Sequence, residues 1–353
     1  MCIQWKKIPN GFILMTLSPL PGLNLESIRE ARARIRASGG DICIETPILR
    51  SSRIDCLLSD RVGRTMEVVF KADHLQPVGA FKIRGALNFA LSLDQATLSK
   101  GLTTHSSGNH GSAVAQVGQF LGVPVVVVCP RNAPTDKVDR MKYYGAEIVF
   151  CEPTLESRVQ ECEKIVRERR MTEIPPFNHI MTMAGQGTMA LEISDQVKDL
   201  DAYIVAVGGC GLMSGIIVAA KSLTPEARIF GAEPRAVDDL AASLREGKRR
   251  GPTDPGATTI CDALRVPVGP LCFEVVSRGC DGVFIVDDSE TQAAMRMMIK
   301  ELKQVTEPSG AVATAALFSD ECVAMLRGTP SIKKICVVIC GGNISIETLK
   351  DLI

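Results

Sequence analysis

Short apolar runs rich in valine and isoleucine recur along the chain. Between them lie longer stretches whose apolar residues fall three and four apart, the spacing of one helix face. Met66-Glu67-Val68-Val69-Phe70-Lys71 reads as a strand, as do Leu102-Thr103-Thr104, Val125-Val126-Val127-Val128 and Glu147-Ile148-Val149-Phe150. Tyr203-Ile204-Val205-Ala206-Val207, Arg228-Ile229-Phe230-Gly231-Ala232 and Ile335-Cys336-Val337-Val338-Ile339 complete the set, after an extended start at Thr46-Pro47-Ile48-Leu49. Continuous β-branched runs of this kind belong to strands covered on both faces of a parallel sheet. The first helix is expected over residues 25–38, with Asn24 as its cap and Gly39-Gly40 as its stop. Further helices are expected over 82–93, 112–121, 135–144 and 155–170. Others follow the Gly185-Gln186-Gly187-Thr188 stretch to about 197 and the Gly208 loop to about 222, then cover 291–304 and 310–318. Residues 245–256 read as a polar loop. Strands alternating with helices predict an α/β fold of open parallel sheets with helices on both faces.

The 353 residues are enough for about two domains. Equal numbers of basic and acidic residues, 40 each, give no bulk field toward nucleic acid or an anionic membrane. No apolar run is long enough for a transmembrane helix. Residues 11–17 follow Lys6 and Lys7 like a short signal core, but lack a small-residue cleavage site and read as an N-terminal extension. The 13 cysteines form no C-x-x-C pair and sit mostly in apolar runs, as buried thiols of a reducing, cytoplasmic setting would.

Candidate chemistry gathers where strands end, which is where open α/β sheets bind ligands. Ser106-Ser107-Gly108-Asn109-His110-Gly111 follows one strand, Gly208-Gly209-Cys210-Gly211-Leu212 another, and Cys340-Gly341-Gly342-Asn343 the last. The Gly208 loop opens a helix, so its backbone N–H groups form a nest for one phosphate. The pattern Gly209-x-Gly211-x-x-x-Gly215, with Glu233 downstream, leaves a nicotinamide-dinucleotide reading open. Lys82 stands at a helix start behind Gly79 and Ala80. A lysine so placed, once desolvated, can form a Schiff base with an aldehyde.

Taken together, Phe81-Lys82-Ile83-Arg84-Gly85-Ala86, the 106–111 loop, the Gly208 loop and Gly341-Gly342-Asn343 resemble, in order, the motifs of fold-type II pyridoxal-phosphate enzymes. Within them the chain is most similar to the serine racemase and serine/threonine dehydratase family, over residues from about 25 to 353. The resemblance implies a tryptophan-synthase-β-like fold of two α/β domains with the cofactor in the cleft between them. Residues 1–100 and 179–353 would form the large domain, and 101–178 a small mobile one. Lys82 would carry the Schiff base, with Phe81 packed on the cofactor ring and Asn109 on its ring hydroxyl. Gly208, Gly209, Cys210, Gly211 and Leu212 would hold the phosphate, Glu307 would lie near the ring, and Cys340 would face the ring nitrogen. Ser106, Ser107, Asn109, His110 and Arg158 would meet the substrate. Ser107 would be the second proton carrier, opposite Lys82, as a racemase requires.

The same resemblance places a divalent cation, Mg²⁺ or Ca²⁺, on Glu233, the Val237 carbonyl and Asp239. It implies a homodimer and makes ATP a candidate activator. The implied activity is serine racemisation with β-elimination of L-serine to pyruvate and ammonia. Alternatives are an L-threonine/L-serine ammonia-lyase, a 3-hydroxyaspartate dehydratase, or a non-catalytic pyridoxal-phosphate-binding regulatory protein. The chain departs from the family at Cys210, where relatives carry glycine, and at Val266, where the racemases carry a hydroxyl.

Overall fold

The structure is a computed structural model that describes residues 20–251, 253–254 and 256–353. The expected N-terminal extension lies outside the described residues. The chain begins α1 (Leu25–Ala37), β1 (Ile48–Arg50), α2 (Ser52–Val62), β2 (Glu67–Ala72), α3 (Lys82–Leu91) and α4 (Gln95–Leu98). It continues β3 (Leu102–His105), α5 (Asn109–Leu121), β4 (Val125–Pro130), α6 (Thr135–Tyr143), β5 (Glu147–Cys151), α7 (Leu155–Arg169) and β6 (Thr172–Glu173). Then come α8 (Ile180–Gln196), β7 (Ala202–Ala206), α9 (Gly211–Leu223), β8 (Arg228–Pro234), α10 (Asp239–Glu246), α11 (Pro270–Gly279) and β9 (Gly282–Val286). The last elements are α12 (Asp288–Met297), α13 (Pro308–Leu317), α14 (Asp320–Gly328), β10 (Lys334–Ile339) and α15 (Ile346–Leu352).

Two sheets form. One has six strands in the order β1-β2-β10-β7-β8-β9, and the other four in the order β5-β4-β3-β6. The valine-rich runs sit as their composition demands: β4 is buried at every residue and β10 at all but its first. The wholly parallel expectation fails at one edge, where β1 pairs antiparallel with β2, Leu49 facing Phe70. An edge strand reached by a short connection need not cross over. The sequence pattern does not mark α2, α4, β6, α10, α11, β9, α14 and α15, while α1 begins on Asn24 as expected, in a capping box with Ser27.

The Gly185-Gln186-Gly187 stretch does not lead its helix. α8 starts at Ile180, where the His179 ring caps the Met181 N–H. The glycines instead let three helices touch. A methyl group on Gly185 would lie 2.5 Å from the Arg84 carbonyl of α3, and one on Gly215 of α9 would lie 2.3 Å from the Met183 carbonyl of α8. α3 is thus clamped between α8 and α5, and its Ile83, Leu87 and Ala90 share a core with Val114, Val117 and Val127 of the smaller sheet's layer. Among the described residues no single helix is long and apolar enough to cross a membrane. The bent pair of α13 and α14 is apolar enough by composition, but α13 is buried along its whole length.

Candidate active site

Lys82 is the first residue of α3 and follows a backbone pinned to the end of β10. The Phe81 N–H donates to the Cys340 carbonyl at 3.1 Å, Ala80 bridges Gly341, and the Gly342 N–H donates to the Gly79 carbonyl at 2.9 Å. From below, Arg84 holds α3 through a buried ionic cluster. Its guanidinium donates to both Asp73 oxygens at 2.7 and 2.8 Å and to both Glu192 oxygens at 2.5 and 2.8 Å. Lys71 adds a 2.6 Å pair to Glu192 and donates to the Thr46 carbonyl. Burial works against the Asp73 carboxylate, but Arg84 outweighs it and keeps its pKa below the usual range. The cluster escaped the sequence reading because its members are far apart in the chain.

Lys82 is half-buried, and its Nζ donates to the Pro176 carbonyl at 2.8 Å. Burial lowers its pKa to about 8, against a smaller opposing influence from the Cys272 and Cys340 thiols. It therefore carries a sizeable neutral fraction just above neutral pH, as a nucleophilic amine must. The amine lies 5.2 Å from the Phe81 ring centroid and 6.0 Å from that of Phe177.

One pocket gathers Phe81, Lys82, Asn109, the Gly208–Leu212 loop, Glu307 and Cys340, together with Phe177, Val266 and Ser309. The loop ends on the N-terminus of α9, whose first N–H groups have no intrahelical acceptor. Phe177 closes the loop's back: a methyl group on Gly209 would meet its ring at 2.4 Å. Cys210 is fitted by taking the left-handed conformation, φ 65°, and turning its thiol onto the Gly208 carbonyl at 3.3 Å. Phe177 was missed in the sequence because no pattern marks it.

Asn109 donates to Glu307 Oε1 at 2.7 Å and accepts from Asn343 at 2.8 Å. Glu307 is buried, and its Oε2 has no partner among the described residues. Burial raises its pKa to about 7, with Lys137 opposing. Cys340 is buried with its thiol on the Ser309 carbonyl, and burial pushes its pKa up, so it stays neutral. A phosphate nest, a depressed lysine, an aromatic wall and an unpartnered buried carboxyl oxygen fit a phosphorylated aromatic aldehyde.

The other expected residues fall in three places. Ser106 and Ser107 lie in the β3–α5 turn and His110 follows Asn109 on α5; of the four, Asn109 alone lines the pocket. α5 begins three residues earlier than expected, at Asn109, which turns its first N–H groups toward the loop. The Ser106 N–H is already used by the Val128 carbonyl, and its hydroxyl accepts from the Gly108 N–H. His110 is turned to the Ile174 carbonyl at 2.8 Å, and burial with the nearby Lys82 charge lowers its pKa to about 3. Arg158 is not part of the pocket lining; it sits on α7, close enough to His105 to help burial depress that ring.

Glu233 near the end of β8, Val237 in the turn beyond it and Asp239 at the start of α10 are not part of the pocket lining. Glu233 is buried and caps α10, accepting from the Leu240 and Ala241 N–H groups at 2.9 Å each. Burial and the facing Asp239 raise its pKa, and burial raises Asp239 to about 6 against the Val268 N–H. Two buried carboxylates facing each other fit a hard cation in their oxygen chemistry. No group of three or more His, Cys, Asp or Glu able to hold a metal occurs among the described residues. Gly215, the last glycine of the dinucleotide pattern, is used up in packing α9 on α8.

The family described as "Pyridoxal-phosphate dependent enzyme" matches residues 41–341. A serine racemase of Oryza sativa subsp. indica is 41% identical over 326 residues, covering 92% of this chain and 92% of its own. A beta-hydroxyaspartate dehydratase of Paracoccus denitrificans is 36% identical over 283 residues, covering 80% and 87%. The solved structure of maize serine racemase superposes with a TM-score of 0.87 at 39% identity, covering 94% of this chain and 96% of that one.

Proposed function

We propose that this chain, which belongs to the pyridoxal-phosphate dependent enzymes, interconverts the enantiomers of serine and also eliminates water from L-serine, giving pyruvate and ammonia. The observation that carries this reading is Lys82: a half-buried lysine whose desolvated amine has its pKa lowered to about 8, in one pocket with the glycine loop and an aromatic wall. When bound, pyridoxal phosphate would supply an electron sink that acidifies the Cα–H of an amino acid joined to it.

The residues divide the remaining work. The Gly208–Leu212 loop would hold the phosphate, and Phe81 and Asn109 the ring face and ring hydroxyl. Cys340, neutral, would offer the ring nitrogen only a weak partner. The α-carboxylate would sit on N–H groups at the start of α5, beside Ser106, Asn109 and His110, with Arg158 reaching it only if α7 shifts. Lys82 would remove the Cα proton from one face, and the Ser107 hydroxyl would deliver one from the other. For elimination Lys82 would take the same proton and pass one to the β-hydroxyl, which would leave as water.

A divalent cation, Mg²⁺ or Ca²⁺, on Glu233, the Val237 carbonyl and Asp239 would neutralise the facing carboxylates. ATP would act as an activator, and the chain would assemble as a homodimer. A second reading, a threonine/serine ammonia-lyase or 3-hydroxyaspartate dehydratase, rests on Val266, an apolar side chain in the pocket wall. The test is spectroscopic. The purified protein should show the visible absorption band of lysine-bound pyridoxal phosphate, and Lys82→Ala should lose it. A band that survives in Lys82→Ala overturns the assignment.

A further inference from the structure

Arginine recurs along the first helix at three- and four-residue spacing, so Arg29, Arg32 and Arg36 of α1 share one face. With Leu191 and Asp195 of α8 and Leu223 of α9 they line an open cleft of about 350 Å³. It shares no residue with the Lys82 pocket, and its volume is that of a small-molecule site. The lining sets three guanidinium groups against one carboxylate. Leu191 is buried and Leu223 half-buried, so part of the lining is apolar. Arg29 and Arg36 are exposed, and their acidic partners, Glu26 at 3.6 Å and Glu45 at 2.8 Å, stand outside the lining. Exposed pairs of this kind hold weakly. Arg32 is different. Its side chain is 17% exposed, and its Nη2 donates to Asp195 at 2.5 Å. In that pose its Nε is buried with no hydrogen-bond partner among the described residues. Leaving a buried donor of a cation unbonded costs free energy.

We propose that the cleft between α1, α8 and α9 binds a small phosphate monoester, with its phosphate on Arg29, Arg32 and Arg36 and its organic part against Leu191 and Leu223. A phosphate dianion offers three acceptor oxygens and can take hydrogen bonds from more than one guanidinium at once. Once Arg32 turns from Asp195, its Nε and Nη2 can donate side by side to two of those oxygens, the arrangement that the planar fork favours. The exchange trades a singly charged, exposed partner for a doubly charged one and gives the stranded Nε an acceptor. A monocarboxylate brings no more charge than Asp195 already supplies, so it gains little by displacing it. The site stands apart from the Lys82 pocket and from the reading of that pocket as an active site.

The test is calorimetric titration of the full-length protein, purified with pyridoxal phosphate and dialysed free of other phosphate, at constant ionic strength. Absence of the lysine-bound absorption band at this stage counts against the functional reading and not against the cleft. Phenyl phosphate is the probe, with inorganic phosphate and benzoate run beside it. Phenyl phosphate should bind saturably and more tightly than either. Arg32→Gln and Arg36→Gln should each weaken it about 10-fold or more, the size of a charge-assisted hydrogen bond. Arg32→Lys keeps the charge without the fork and should weaken it nearly as much. Asp195→Asn releases Arg32 and should tighten binding about 3-fold, a gain that a damaged fold cannot produce. No saturable binding overturns the proposal. So does binding that both arginine variants leave unchanged, which would lie in the Gly208 loop instead, or an Asp195→Asn that binds more weakly. Inorganic phosphate or benzoate binding as tightly as phenyl phosphate overturns the assignment of a phosphate monoester.

Discussion

Lys82 owes its lowered pKa to burial between Phe81 and Phe177, and its aim to groups it never touches. In the cofactor-free protein, its labelling by an amine-reactive reagent should therefore rise through pH about 8, not near the ordinary lysine value of 10.5. Glu307 gives a second pH signature. Its folded pKa of about 7 lies above the ordinary 4.5, so the fold binds the extra proton between these values. Stability of the cofactor-free protein should fall as pH rises from about 4.5 to about 7, and Glu307→Gln should flatten that slope in chemical denaturation. Arg84 is the residue whose loss costs most. Arg84→Met leaves Asp73 and Glu192 facing each other, with Lys71 alone between them, and should destabilise by about 3–5 kcal/mol.

At the scale of elements, the glycines of α8 and α9 decide how closely helices approach. Gly215→Ala puts a methyl group 2.3 Å from the Met183 carbonyl, and backbone cannot yield as a side chain can. It should cost about 1–3 kcal/mol in denaturant unfolding. Here the limits of the sequence also show. β4 and β10 were legible because buried parallel strands need unbroken β-branched runs. α2 went unseen although Ile54, Leu58 and Val62 keep helical spacing, because its exposed face reads as loop. α8 was started late because glycines that serve packing look like glycines that end a turn. The lysine, the asparagine loop and the phosphate loop were legible because each is one contiguous motif. Phe177 and the Arg84 cluster join distant segments and leave no local mark.

Across the whole molecule, the pocket takes walls from both sheets' layers, and α3 puts its buried apolar residues into the smaller layer's core while packing on α8 of the larger. The pocket offers no side-chain cation besides Lys82, and it holds the buried Glu307. That composition suits a neutral β-substituent better than a second carboxylate. L-Serine should therefore be turned over in preference to 3-hydroxyaspartate, as judged by kcat/KM for keto-acid release.

The central claim is that two groups handle the proton from opposite faces, Lys82 and Ser107. It is tested most directly by incubating wild type and Ser107→Ala with L-serine and measuring D-serine and pyruvate in the same samples. The account predicts that wild type forms both, and that Ser107→Ala loses D-serine formation by about 10²–10⁴-fold, the span of one general acid, while pyruvate formation falls far less. An equal loss of both products, or a wild type that forms pyruvate and no D-serine, would contradict it.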